Sequence, residues 1–140
     1  MIRNAVFGFI ALMIFIFSGD GPLKNGNYSG VSRAIYLDEP YYGHARIAIH
    51  NGKITKIRFF VRDSAKHEYV DGSYEKYFAG NDEYIQQCRN DWKGIQSYPD
   101  SLLKHQDLEK VDVISGATWS YNLFRASVKE ALTAAAKARK

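Results

Sequence analysis

Near the C-terminal end of the chain, apolar and small residues recur every three or four positions: Leu123, Phe124, Ser127, Val128, Ala131, Leu132 and Ala135. That spacing places them on one stripe of an amphipathic helix running from roughly Ser120 into the tail. Earlier the period changes to two. Ala45, Ile47 and Ile49 share one face of a strand, and Thr55, Ile57, Phe59 and Val61 share one face of another. Asn51-Gly52 between them is the mark of a β-hairpin. A two-residue loop sets Ile49 opposite Ile54 and Ile47 opposite Lys56, which sends the two apolar faces to opposite sides of the sheet. A three-residue loop, His50-Asn51-Gly52, sets Ile47 opposite Thr55 and Ala45 opposite Ile57, and the faces agree. Register follows the buried face, so the pattern predicts the three-residue loop, with Gly52 left-handed.

The remaining elements carry weaker patterns. Lys24 to Asn27 reads as a linker and Tyr28 to Tyr36 as a strand weakened by Gly30, with a turn at Asp38-Glu39-Pro40. Arg62 to Gly80 is polar and aromatic with no sustained period. Asn81-Asp82 caps a helix whose inner face is Tyr84, Ile85, Cys88 and Trp92, with Gly94 as its stop. Pro99-Asp100-Ser101 then opens a second, short helix holding Leu102 and Leu103. The sum is an α+β fold: a small antiparallel or mixed sheet containing the hairpin, packed by helices that include the C-terminal one. The length of 140 residues fits one such domain, over 20–140.

Residues 1–19 differ in kind. A short positive start, Met1-Ile2-Arg3-Asn4, precedes an unbroken apolar run from Ala5 to Phe17, and Ser18-Gly19-Asp20-Gly21-Pro22 breaks it. This is the layout of a secretory signal peptide, with an uncleaved N-terminal anchor as the alternative. As a helix the run reaches only ~20 Å, short of the ~30 Å hydrocarbon core, so a full span is the weaker reading. The expected location is extracytoplasmic, periplasmic or membrane-associated.

Charge narrows the function classes. The formal net charge is +4 with both signs scattered, so no basic block marks a nucleic-acid partner. The single Cys88 has no pairing partner and reads as a small buried hydrophobe. His44, His50, His67 and His105 lie too far apart for a zinc motif.

The densest chemistry lies just before the final helix, in Asp112-Val113-Ile114-Ser115-Gly116-Ala117-Thr118. A helix start presents unpaired N–H groups and a partial positive charge, which suit an anion such as a phosphate. Ser115 and Thr118 can hydrogen-bond a phosphate or cap the helix. Gly116 lets the backbone approach closely, and Ala117 adds no bulk. An alternative is that the four small residues form only a loop and an N-cap.

The seven residues match the Asp-x-x-Ser/Thr-Gly-Ala-Thr motif, and the chain resembles the FMN-binding domain family. Tyr42-Gly43 before a strand and the Asn51-Gly52-Lys53-Ile54-Thr55 hairpin also resemble that family's N-terminal half. The family includes flavinylated subunits of sodium-pumping NADH:quinone reductase and of related membrane electron-transport complexes, together with small exported stand-alone domains. The resemblance implies FMN held through a phosphoester on Thr118. It also implies a separate FAD- and Mg-dependent flavin transferase that loads it, and electron exchange with membrane or extracytoplasmic redox proteins. Such a chain is an electron carrier more than an independent enzyme, with no catalytic residue or metal of its own. The alternative is a module holding FMN non-covalently as a sensor or adaptor. The expected cofactor-binding set is Thr118, Ser115, Gly116, Ala117, Asp112, Trp119, Tyr42 and Gly43. Trp119 can pack on a flavin ring or in the core. Lys53, Lys56 and Arg58 form a solvated strand face or a docking surface for an acidic redox partner.

Overall fold

Two long strands, β2 (Tyr41–His50) and β3 (Lys53–Asp63), form the hairpin at the centre of a computed structural model that describes residues 21–32 and 39–139. The expected export segment, residues 1–19, lies outside the described residues. The turn is two residues long, not three. Asn51 (φ 51°) and Gly52 (φ 75°) are both left-handed and join His50 directly to Lys53. This is the geometry that Asn-Gly favours in a tight hairpin. The register is repaired by a β-bulge instead. Ile49 pairs with Ile54 but Ala48 pairs with Lys56, so Thr55 is the extra residue. Beyond it Ile47 faces Ile57, Ala45 faces Phe59 and Gly43 faces Val61. The buried faces therefore agree, as burial demands, and Gly52 is left-handed as expected.

β1 (Gly26–Val31) pairs antiparallel with β2, and the short β4 (Glu68–Tyr69) pairs with the end of β3, giving the order β1-β2-β3-β4. The first strand begins two residues before Tyr28, inside the expected linker, and the last part of the expected strand, residues 33–36, lies outside the described residues. One face of the sheet carries two helices, α1 (Asp82–His105) and α2 (Thr118–Lys137). The α+β layout is the expected one. At its centre Phe124 is fully buried, 5.1 Å from the Phe59 ring and 5.6 Å from the Tyr98 ring. Gly30 weakens β1 as a strand but seats α2, since a Cβ there would lie 2.0 Å from the Ser127 carbonyl oxygen.

α1 is one helix of 24 residues, where the sequence suggested two. Asn81 does cap it, accepting from the Tyr84 N–H at 3.2 Å. Gly94 does not stop it, and Pro99 lies inside it. A mid-helix glycine costs about 1 kcal/mol and a proline about 3, and burial of Ile95, Tyr98 and Leu102 outweighs both. The inner face also shifts. Ile85, Cys88 and Trp92 are only half-buried and Tyr84 is exposed, while Asp91, Gly94, Ile95, Tyr98 and Leu102 are buried. At the far end Gln106, left-handed at φ 55°, takes both edge groups of Ile54 with its side-chain amide, at 2.9 Å each. That ties the end of α1 to the bulged end of β3. No helix among the described residues is long and apolar enough to cross a membrane.

Candidate functional site

The Asp112–Ala117 loop follows a single helical turn at Leu108–Lys110 and feeds directly into α2, which begins at Thr118. Its inward side is held by α1. The Tyr98 hydroxyl, buried, donates to the Ala117 carbonyl at 2.9 Å and accepts from the Ile114 N–H at 3.0 Å. One phenol thus clamps both ends of the Ile114–Ala117 turn. Burial raises this phenol above the ordinary tyrosine range, although the Ile114 N–H works the other way. Two turns earlier in α1, buried Asp91 accepts the Ser120 N–H at 3.0 Å on one oxygen and the Gln87 amide at 2.7 Å on the other. Gln87 also donates to the Gly116 carbonyl at 2.9 Å. Between these anchors Gly94 lets the helices touch: a Cβ there would sit 2.7 Å from the Ser120 Oγ.

The outward side is different. Ser115, Gly116, Thr118 and Asp112 are exposed, whereas Ala117 is fully buried. Ala117, not Ser115 or Thr118, occupies the N-cap, and no side chain of the helix start caps it. The backbone N–H groups of Thr118 and Trp119 make no hydrogen bond to a described residue, and the first turn carries no acidic side chain. The Thr118 hydroxyl therefore stands in the first turn of a 20-residue helix, beside unpaired donors and the positive end of its dipole. Gly116 has φ +79°, and a Cβ on it would lie 2.5 Å from the Asn90 amide nitrogen. The left-handed backbone favours glycine there, and any side chain would also have to displace the end of Asn90. These features fit a phosphate-bearing ligand, which needs donors, a compatible dipole and room.

An aromatic wall continues from the helix start. Trp119 is half-buried, its ring edge-on to Tyr41 at 5.2 Å and its indole N–H donating to Glu39 at 3.3 Å. The Tyr74 hydroxyl donates to buried Asp63 at 2.5 Å, which leaves Tyr41 as the donor in the 3.0 Å contact between the two tyrosine oxygens. Burial, then the Asp63 carboxylate, holds the Tyr74 phenol protonated. Alternation along β2 sends Tyr42 to the opposite face, so Tyr41 is the tyrosine beside Trp119. Gly43 lies on the helix side, where a Cβ would meet the Leu123 carbonyl oxygen at 2.8 Å. It seats α2 and does not line the loop. Cys88 is half-buried, and burial raises its thiol above the usual range, which suits the hydrophobic role expected of it.

The structure thus brings together Asp112, Ser115, Gly116, Ala117, Thr118 and Trp119, and separates Tyr42 and Gly43 from them. Sequence reasoning missed Gln87, Asn90, Asp91, Gly94 and Tyr98. One signal was present: Asp91 is a carboxylate inside an otherwise apolar stripe.

The model of the FMN-binding domain matches residues 43–133, and the chain belongs to that family. The crystal structure of the CPE2226 protein from Clostridium perfringens is similar, with a TM-score of 0.57 and 25% identity, over 84% of this chain and 92% of that one. No curated protein matches the chain.

Proposed function

We propose that this chain is an exported FMN carrier in extracytoplasmic electron transfer, with the flavin esterified through its phosphate to the Thr118 hydroxyl. The observation that carries the reading is the exposed Thr118 at an uncapped helix start, next to left-handed Gly116, in a loop fixed from behind by Tyr98, Gln87 and Asp91. Family membership supports FMN as the cofactor. In the attachment step the Thr118 oxygen forms a bond to the FMN phosphorus of FAD, the pyrophosphate bond breaks, and AMP leaves. The hydroxyl is a weak nucleophile, and a Mg-dependent transferase provides the base that takes its proton.

The residues of the chain divide the work of holding the group. The Thr118 and Trp119 N–H groups and the Ser115 hydroxyl would hold the phosphate. Trp119 and Tyr41 offer aromatic surface to the ring. The bound isoalloxazine supplies the redox chemistry, and the protein supplies its position and solvent access. A covalent bond also suits an exported protein, because a dissociable flavin is lost by mass action where free flavin is dilute.

Intact mass spectrometry of the protein, produced with and without a flavin transferase, tests this. The expected gain is the mass of FMN less one water, only with the transferase, and absent from Thr118→Ala. Flavin that co-purifies but leaves on denaturing dialysis would replace the carrier reading with a non-covalent sensor or adaptor. An unmodified, colourless protein beside an active transferase would refute flavin binding altogether.

A further inference from the structure

The face of the sheet turned away from the helices is a built surface with no described partner. Along β2 it presents Tyr42, His44 and Arg46, along β3 Lys56, Arg58, Phe60 and Arg62, and on β4 Tyr69. Arg46, Lys56, Arg58 and Arg62 are all exposed. None of the four forms an ion pair or hydrogen bond with a described residue; the salt bridges between described residues join Lys76 to Glu68, Arg89 to Glu75 and Arg125 to Glu109, all with cations from outside this face.

The cations are also ordered. The Arg46 and Arg58 guanidinium groups lie 5.7 and 5.1 Å from the Phe60 ring centre, one from β2 and one from Phe60's own strand, β3. His44 stacks on the same ring at 4.9 Å, and Tyr69 meets it edge-on at 5.5 Å. Arg46 and Arg58 are direct cross-strand partners, and like charges in that position repel. A face that keeps two opposed arginines and adds Arg62 and Lys56, with no carboxylate among the described residues paired to them, is complementary to an anionic surface.

We infer that this open sheet face docks an acidic protein surface, through Arg46, Arg58 and Arg62 arranged around Phe60. Arginines outnumber lysine here, and two of them, Arg46 and Arg58, rest on the Phe60 ring. Planar guanidinium forks bind carboxylates bidentately, and arginine and aromatic side chains are enriched where proteins meet. The face is on the far side of the sheet from α2 and Thr118. A partner seated there leaves the flavin-attachment loop open. The inference stands on the sheet alone and does not depend on the flavin.

Three probes test it with the full mature chain: a poly-glutamate peptide, phosphatidylglycerol–phosphatidylcholine vesicles, and a thymidine oligonucleotide. The peptide is expected to bind with an affinity that falls as salt rises, and to shift the amide resonances of β2 and β3 on this face. Arg58→Glu with Arg62→Glu is expected to weaken peptide binding by about tenfold or more. Lys129→Glu with Lys137→Glu makes the same change in net charge on α2, and is expected to weaken it less than about threefold. Equal losses in the two double variants would trace binding to net charge and overturn the inference. Tighter binding of vesicles or oligonucleotide through the same arginines would overturn it too, in favour of a lipid or nucleic-acid face. Thermal melts of both variants, expected to match the parent, separate lost binding from lost folding.

Discussion

Replacing Tyr98 by phenylalanine removes one oxygen atom and tests whether the loop before α2 is held from α1. The ring keeps its contacts with Phe124 and Tyr121, at 5.6 and 5.3 Å. Two hydrogen bonds disappear, and they are not equivalent. The Ala117 carbonyl retains the Tyr121 N–H and the Ser120 hydroxyl, each at 3.1 Å, so its loss falls at the low end of the usual ~0.5–1.5 kcal/mol. The Ile114 N–H, part-buried, loses the one partner it has among the described residues, and stranding a donor adds ~1–3 kcal/mol. Together these give about 2 kcal/mol, or a fall of about 8 °C in Tm for a domain of this size. Urea unfolding of the colourless protein measures the first quantity, and an unchanged m-value would confirm that only stability moved. Under the proposed attachment at Thr118, the rate of loading by a transferase measures the second consequence, since a loosened turn presents the hydroxyl less often in the productive geometry. A loss below about 0.5 kcal/mol would refute the clamp, because it is less than one net hydrogen bond. A full loss of stability with unchanged loading would show that the phenol supports the fold and not the site.

The other predictions probe the same region and the acid limit of the fold. Gly116→Ala places a side chain at φ +79° against Asn90 and is expected to cost about 1–2 kcal/mol. Adding Asn90→Ala relieves the clash but not the backbone cost, so the double variant should recover only part of the loss in a denaturant melt. Asp91→Ala strands the Ser120 N–H in a buried site and is expected to cost about 2–3 kcal/mol, with Asp91→Asn, which keeps an acceptor, closer to the parent; equal losses in both would mean that the charge and not the acceptor matters. For Asp63, burial alone would raise the carboxyl, but the Tyr74 hydroxyl and the Lys66 and Ala65 N–H groups outweigh it and hold the folded value low. Its stabilisation is therefore present above the unfolded pKa, near ~4, and is lost as pH falls through the folded value. Asp63→Asn should flatten the acid limb of a plot of urea midpoint against pH, and an unchanged slope would refute the assignment.

Much of the fold was legible because burial leaves a period in the sequence. The α2 stripe and the two faces of the hairpin were read from it directly. The hairpin turn was misread for an identifiable reason: agreement of the buried faces can be restored by a longer loop or by an extra residue within a strand. Burial does not choose between the two. The left-handed preference of Asn51-Gly52 does choose, and it favours the tight turn, leaving Thr55 to bulge. α1 was split for the converse reason. Gly94 and Pro99 are local helix breakers, and the contacts that override them, to Ala117 and Ser120 and through Leu102 to the core, are distant in sequence. The motif itself was legible down to Thr118 and Trp119, because its small residues and the following helix are contiguous. The supporting shell was not, since Gln87, Asp91 and Tyr98 reach the loop and helix start from 16 to 29 residues away in the chain.

Capping shows why the two sides of this loop differ. A helix start in a buried corner usually takes its own serine or threonine hydroxyl as the acceptor for its first N–H groups. Here two hydroxyl residues, Ser115 and Thr118, flank the start, yet neither caps it, and alanine fills the N-cap position. The inner N–H, that of Ser120, is satisfied instead by a carboxylate from another helix, Asp91. A cap supplied in trans stabilises the helix end without using the local hydroxyls. It also ties α1 to α2 at the point where Gly94 allows contact. The consequence is an asymmetric helix start: on the inner side every buried side-chain polar atom of the described residues is paired, and on the outer side hydroxyls and N–H groups remain available. If capping had been the only demand, Ser or Thr at position 117 would have met it locally and left Asp91 free to be apolar. The buried carboxylate of Asp91 therefore does for the Ser120 N–H what a local cap would do, and leaves the Ser115 and Thr118 hydroxyls outside the capping network.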